Sequence, residues 1–200
     1  MTEENRVAPK FKVIFNSNDT PSDKRLEELK KWCRIFHEKD LAPPYCGGSY
    51  GNLSFRKEPR KTPFIITGTN IGLKDNLSDD KFAEVTGIDI ENMTVYATGK
   101  ISPSSESLLH FAIYEARHEI NAVFHGHSNE LLERYKDLNI ASTEKEEDYG
   151  SKDLVRRVLN ILGDNNIIIM KGHGFISLGK TMEEAGNTIS EVIKSAGQKK

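Results

Sequence analysis

The chain has 200 residues, enough to bury a substantial core within one domain. Its 28 basic and 30 acidic residues leave a formal charge of −2, which excludes the strongly basic balance of a nucleic-acid or anionic-membrane binder. No apolar run nears the roughly 18 residues of a membrane span, the polar start Met1-Thr2-Glu3-Glu4-Asn5 is not a signal peptide, and the two cysteines, Cys33 and Cys46, fit reduced thiols of a cytoplasmic protein.

Phe11 to Phe15 reads as a short strand in an N-terminal extension, residues 1–20, of a single domain covering 1–200. Thr20-Pro21-Ser22-Asp23 sets an N-cap residue before a proline at the first helical position. Leu26, Leu29, Cys33 and Phe36 follow at helical spacing and give one apolar face. Ala42-Pro43-Pro44-Tyr45 ends that helix. Gly47-Gly48-Ser49-Tyr50-Gly51 reads as a flexible loop into strand Leu53-Ser54-Phe55, and Pro63 to Thr67 is a second strand. Leu77 to Val85 reads as a short helix capped by Ser78, and Thr94 to Thr98 as extended chain.

Ser104 opens a helix whose buried face carries Leu108, Leu109, Ala112, Ile113 and Ala116. Ala122-Val123-Phe124 then reads as a buried strand ending in His125-Gly126-His127-Ser128. Residues 129–149 are polar, with the charged run Glu144-Lys145-Glu146-Glu147-Asp148. Ser151 caps a helix with Leu154, Val155, Val158, Leu159 and Leu162 inward, and Gly163 suits its C-terminal end. Strands Ile167 to Met170 and Phe175 to Leu178 flank Lys171-Gly172-His173-Gly174. Thr181 and Glu184 form a capping box for a last helix that packs through Ala185, Ile189, Val192 and Ile193. Without repeats or linkers, the mixture of strands and helices gives an α/β or α+β class.

The chemistry gathers on few residues. His125 and His127 project from one face of a strand end, because side chains at i and i+2 share a face. Alone, the pair also fits two polar residues at a strand end. His173, between glycines after another apolar run, adds a third nitrogen, since small neighbours let a backbone approach a ligand closely. Glu106, in a helical first turn, either complements the helix dipole or serves a metal as ligand or base. Ser104 and Ser105 before it pair hydroxyls with free helix N–H groups, a natural phosphate cradle. His110 and His118 read as helix-surface or hydrogen-bonded core residues, and His37 as exposed near a helix end.

In order along the chain, Gly51-Asn52-Leu53-Ser54, Ile66-Thr67-Gly68-Thr69, Pro103-Ser104-Ser105-Glu106 with Leu109-His110, His125-Gly126-His127-Ser128 and Gly172-His173-Gly174 resemble the class II aldolase/adducin family. Thr181-Met182-Glu183-Glu184-Ala185 resembles the start of its last helix. The resemblance runs from about Leu26 to Ile193 and is nearest the L-fuculose-phosphate aldolase-like branch.

That resemblance implies an α/β fold, a three-layer α/β/α sandwich around a largely antiparallel sheet, and a homotetramer with active sites at subunit interfaces. It implies one Zn2+ per chain on His125, His127 and His173. Glu106 would ligate the metal and then act as acid/base. Asn52, Thr69, Ser104 and Ser105 would hold a substrate phosphate, together with Asn70, which stands where the family usually has glycine. Asparagine is the best replacement where a left-handed conformation is required. The expected reaction cleaves a small phosphorylated ketose, such as fuculose 1-phosphate, to dihydroxyacetone phosphate and an aldehyde, with zinc stabilising the enediolate. Neither nucleic acid nor membrane is an expected partner.

Family aldolases take a second acid, a tyrosine of a neighbouring subunit, from the segment after the H-x-H pair. That segment is short here, with Tyr149 and Tyr135 as candidates, and any tail after the last helix is brief. Three rival activities follow from the same family. A methylthioribulose-1-phosphate dehydratase would use a glutamate near Thr143-Glu144. A pentulose-5-phosphate 4-epimerase would carry aspartate at the position of Glu106. A non-enzymatic adducin-like module would have lost the metal ligands, which this chain keeps.

Overall fold

The computed structural model describes residues 10–198. The first half runs β1 (Lys12–Ser17), α1 (Leu26–Glu38), β2 (Pro44–Tyr45), β3 (Gly48–Ser49), β4 (Asn52–Arg56), β5 (Phe64–Thr67), β6 (Phe82–Asp89) and β7 (Thr94–Thr98). The second half runs α2 (Ser107–Ala116), β8 (Ala122–Gly126), α3 (Asn129–Arg134), β9 (Ala141–Ser142), α4 (Lys152–Leu162), β10 (Ile167–Met170), β11 (Gly174–Gly179) and α5 (Met182–Gln198).

One sheet of nine strands has the order β1-β7-β6-β5-β4-β8-β11-β10-β9. Its inner pairings are antiparallel, and only the two edges, β1 on β7 and β9 on β10, are parallel. Alternation along the strands feeds two cores. On one face Phe124 and Phe175 pack with Leu29 and Phe36 of α1, Leu131 of α3 and Ile189 of α5. On the other, Val123 and Ile176 pack with Leu109 and Ile113 of α2 and Leu154 and Val158 of α4. Helices thus cover both faces, the three-layer sandwich that the family resemblance implied.

Several local expectations change. Helix α1 begins at Leu26, not after Thr20-Pro21, because Asp23 takes the turn. Its carboxylate accepts the backbone N–H and the guanidinium of Arg25, and its carbonyl accepts the N–H of Leu26. The far end closes in a left-handed turn at Asp40 (φ 55°), with the N–H of Leu41 on the carbonyl of Phe36. Leu41 then meets the site: its carbonyl accepts the N–H of His127 at 2.9 Å. The expected loop 47–51 contains instead the hairpin partner β3, paired with β2.

The expected helix from Leu77 to Val85 is a single turn, Asp79–Lys81, followed by β6. Phe82 and Val85 serve opposite cores between β5 and β7, and that pairing overrides the local helical pattern. Helix α2 starts at Ser107; Ser104 forms the turn before it, accepting the N–H and hydroxyl of Ser107 on its carbonyl. Ala116 is exposed rather than buried. The polar stretch 129–149 contains α3, capped by the Ser128 hydroxyl, and the edge strand β9. Ser151 caps α4, and Thr181 accepts the N–H of Glu184 as expected, although Glu184 reaches back to Lys180 rather than to the cap. No helix among the described residues is long and apolar enough to cross a membrane.

Candidate metal centre

The central strand β8 lies between β4 and β11, and its end presents His125 opposite Asn52 on one side and Ile176 on the other. Close approach of three backbones makes this possible. Gly51 has φ 76°, and a Cβ there would lie 2.7 Å from the carbonyl oxygen of His125. A Cβ at Gly174 would lie 2.4 Å from the carbonyl oxygen of Gly126. His173 sits in the turn before β11, its N–H on the carbonyl of Met170.

Ligand atoms of His125, His127 and His173 lie within 4.8 Å of one another. Nε2 of His127 is 3.1 Å from Nε2 of His125. Nδ1 of His125 bonds the carbonyl of Phe175 at 2.8 Å. A carbonyl only accepts, so that nitrogen carries the proton and Nε2 turns a lone pair inward. Burial holds the His125 imidazole well below the usual histidine range and pushes His127 down to about 2. Both are neutral at physiological pH, as metal ligands must be.

Glu106 closes the cluster from the turn before α2. Oε2 is 3.0 Å from Nε2 of His125 and accepts the side-chain amide of Asn52 at 2.8 Å. Oε1 is 3.5 Å from Nε2 of His173 and has no hydrogen-bond partner among the described residues. A carboxylate 3% exposed and in contact with the imidazoles of His125 and His173 is placed to share a cation with them. Three imidazole nitrogens and one carboxylate oxygen suit a divalent transition metal, zinc among them.

The cluster opens into a cavity of about 580 Å³. Thr69, Asn70, Ser104 and Ser105 form one wall. Ser105 Oγ is buried without a hydrogen-bond partner among the described residues. Asn70 takes φ 53°, the left-handed conformation that glycine usually fills, and its Oδ1 accepts the Tyr45 hydroxyl at 3.0 Å.

A family model described as the class II aldolase and adducin N-terminal domain matches residues 27–133 and 130–199. The chain belongs to the class II aldolase and adducin family. It is 32% identical over 187 residues to an L-fuculose phosphate aldolase of Methanococcus maripaludis, covering 86% of this chain and 94% of that protein. It is also 32% identical over 127 residues to a methylthioribulose-1-phosphate dehydratase of Leptospira interrogans, covering 62% of this chain and 47% of that protein. A solved L-fuculose 1-phosphate aldolase superposes with a TM-score of 0.72 at 23% identity, covering 89% of this chain and 85% of that one, which shows the shared fold.

In this class II aldolase/adducin chain, the residues expected to hold the metal and the phosphate border one cavity: Asn52, Thr69, Asn70, Ser104, Ser105, Glu106 and the three histidines. Tyr149 borders it too, whereas Tyr135 packs against the α1 face of the sheet. Glu144 points away and pairs with Arg157, and Thr143 bonds the backbone of Lys145 and Lys171. His110 is wholly buried, with Nδ1 2.7 Å from Ser54 Oγ, and His118 is exposed. His37 is half-buried.

Sequence reasoning missed Tyr45, Tyr50 and Glu146, which also line the cavity. Tyr45 ends β2 and Tyr50 follows β3, so a glycine-rich turn between two aromatic residues was their signal. Glu146 had none beyond its charged neighbours. Its carboxylate packs on Gly172, where a Cβ would lie 2.5 Å from Oε2.

Proposed function

We propose that this protein is a metal-dependent lyase that binds one zinc ion per chain at His125, His127, His173 and Glu106. Its substrate is a small phosphorylated ketose of the fuculose 1-phosphate type. The observation that carries this reading is the Glu106 carboxylate, buried against the imidazoles of His125 and His173 in a cavity that Thr69, Ser104 and Ser105 also line. The family membership and the similarity to L-fuculose phosphate aldolases support it.

The substrate phosphate rests against Thr69, Asn70, Ser104 and Ser105, with Asn52 between it and Glu106. A divalent ion in the site supplies Lewis-acid polarisation of the ketose carbonyl and its neighbouring hydroxyl. Glu106 takes a proton from the hydroxymethyl carbon of dihydroxyacetone phosphate in the synthetic direction and, after cleavage of the ketose, returns it to that carbon. The Tyr149 hydroxyl gives its proton to the aldehyde oxygen as the carbon–carbon bond forms. A homotetramer with sites near its interfaces completes the proposal, and sedimentation velocity tests it.

One observation favours a second reading. Glu146 brings a carboxylate to the cavity beside His173, as a dehydratase acting on methylthioribulose 1-phosphate would need. A single panel separates the two. Release of dihydroxyacetone phosphate from ketose 1-phosphates, lost in Glu106→Gln, supports the aldolase. Water loss from methylthioribulose 1-phosphate, dependent on Glu146 and with no cleavage of any ketose phosphate, would overturn it.

A further inference from the structure

Lys74 is buried to 1% exposure with no carboxylate partner among the described residues. Its Nζ donates to three acceptors of one short segment: the carbonyl of Ser49 at 3.1 Å, the hydroxyl of Ser49 at 2.9 Å and the carbonyl of Tyr50 at 3.0 Å. Ser49 passes its own proton to the carbonyl of Gly72 at 2.8 Å. The N–H of Tyr50 is taken by the carbonyl of Pro43. Both peptide groups of Tyr50 are therefore tied, and the next residue, Gly51, threads against the carbonyl of His125.

What this bracing holds is a ring. Tyr50 packs on the imidazole of His127, centroid to centroid 4.7 Å, and Tyr45 packs on Tyr50 at 4.9 Å. The two neighbouring histidines differ in what orients them. His125 is fixed by the Phe175 carbonyl at Nδ1. No hydrogen bond within the described residues fixes Nδ1 of His127; on the side away from its Nε2 contact with His125, the ring is held by the packing of Tyr50. A metal ligand ordinarily has its second nitrogen held by an acceptor; here an aromatic face replaces it.

We propose that Lys74 is a positioning residue for the metal centre, acting through the Ser49–Tyr50 segment to orient His127. The inference rests on the metal-binding reading of the three histidines. It predicts that loss of the ammonium, or of the Tyr50 ring, weakens the metal by the amount typical of an outer orienting contact, about tenfold or more.

The test uses Co2+ titration followed by visible absorption, and Zn2+ affinity by chelator competition, on the full chain. Lys74→Met and Tyr50→Leu should each lose about tenfold in affinity, whereas Tyr50→Phe, which keeps the ring, should match the wild type. In metal-free protein, the His127 ring resonances should shift in Lys74→Met and Tyr50→Leu while those of His125 stay in place. Should Lys74→Met fail to fold, Tyr50→Leu decides, since it leaves the lysine bonds intact. Wild-type affinity and an unmoved His127 in Tyr50→Leu would overturn the proposal while leaving the metal reading standing. A wild type that binds neither ion would overturn both.

Discussion

The side-chain amide of Asn52 donates to Oε2 of Glu106 across 2.8 Å, and both residues are buried. The family pattern places Asn52 on a substrate phosphate, but here its nitrogen orients the carboxylate. A hydrogen bond to a charged acceptor contributes about 1.5–3 kcal/mol. Asn52→Ala is therefore expected to lower kcat by about tenfold or more, with little change in KM for the phosphorylated substrate. Steady-state kinetics on the ketose phosphate decide: a raised KM with unchanged kcat would return Asn52 to the phosphate.

Metal removal should be visible in stability as well as activity. The three histidines join β8 to the turn before β11, so an ion held between them stabilises only the folded chain. At a free concentration about a thousandfold above Kd, the gain is about 4 kcal/mol. Thermal melts with and without a chelator should differ by several degrees. The difference should vanish in His125→Ala.

Acid should unfold the protein partly through His110. Burial pushes its imidazole down to about 3, while in the unfolded chain it titrates near 6.5, the ordinary histidine value. Between those values the unfolded state binds a proton that the folded state does not, so stability rises with pH across that window and falls on acidification through it. The contribution approaches about 1.4 kcal/mol per pH unit. His110→Gln, compared with the wild type in urea melts from pH 7 to 4, should show a shallower loss. An identical slope would mean that His110 is protonated in the fold.

The layers and the site were legible in the sequence for different reasons. Apolar runs such as Ile167 to Met170 match β10 to the residue, because a strand buried on both faces needs no alternation. Helix α4 was plain from its cap at Ser151 and its stop at Gly163. The segment around Phe82 was not, since its partners β5 and β7 are distant in sequence and only their pairing makes it a strand. The histidines announced themselves by spacing. Lys74, Tyr50 and Glu146 did not, because what gives them a role is the folding of separate loops against β8 and the turn at Gly172.

Asn70 gives a last test that separates backbone from side chain. Its φ of 53° is left-handed, and its Oδ1 receives the Tyr45 hydroxyl at 3.0 Å. An ordinary L-residue pays about 1–2 kcal/mol in that conformation, glycine does not, and asparagine falls between them. Asn70→Ala should thus lose both the conformational fit and the Tyr45 acceptor. Asn70→Gly should keep the conformational fit and lose the acceptor, worth about 0.5–1.5 kcal/mol. Urea midpoints should rank wild type and Asn70→Gly close together, with Asn70→Ala clearly lower. Tyr45→Phe, which removes the same hydrogen bond from the other side, should match Asn70→Gly in stability. If Asn70→Ala and Asn70→Gly were equally destabilised, the backbone conformation would not be what selects asparagine, and its side-chain bonds would carry its structural role.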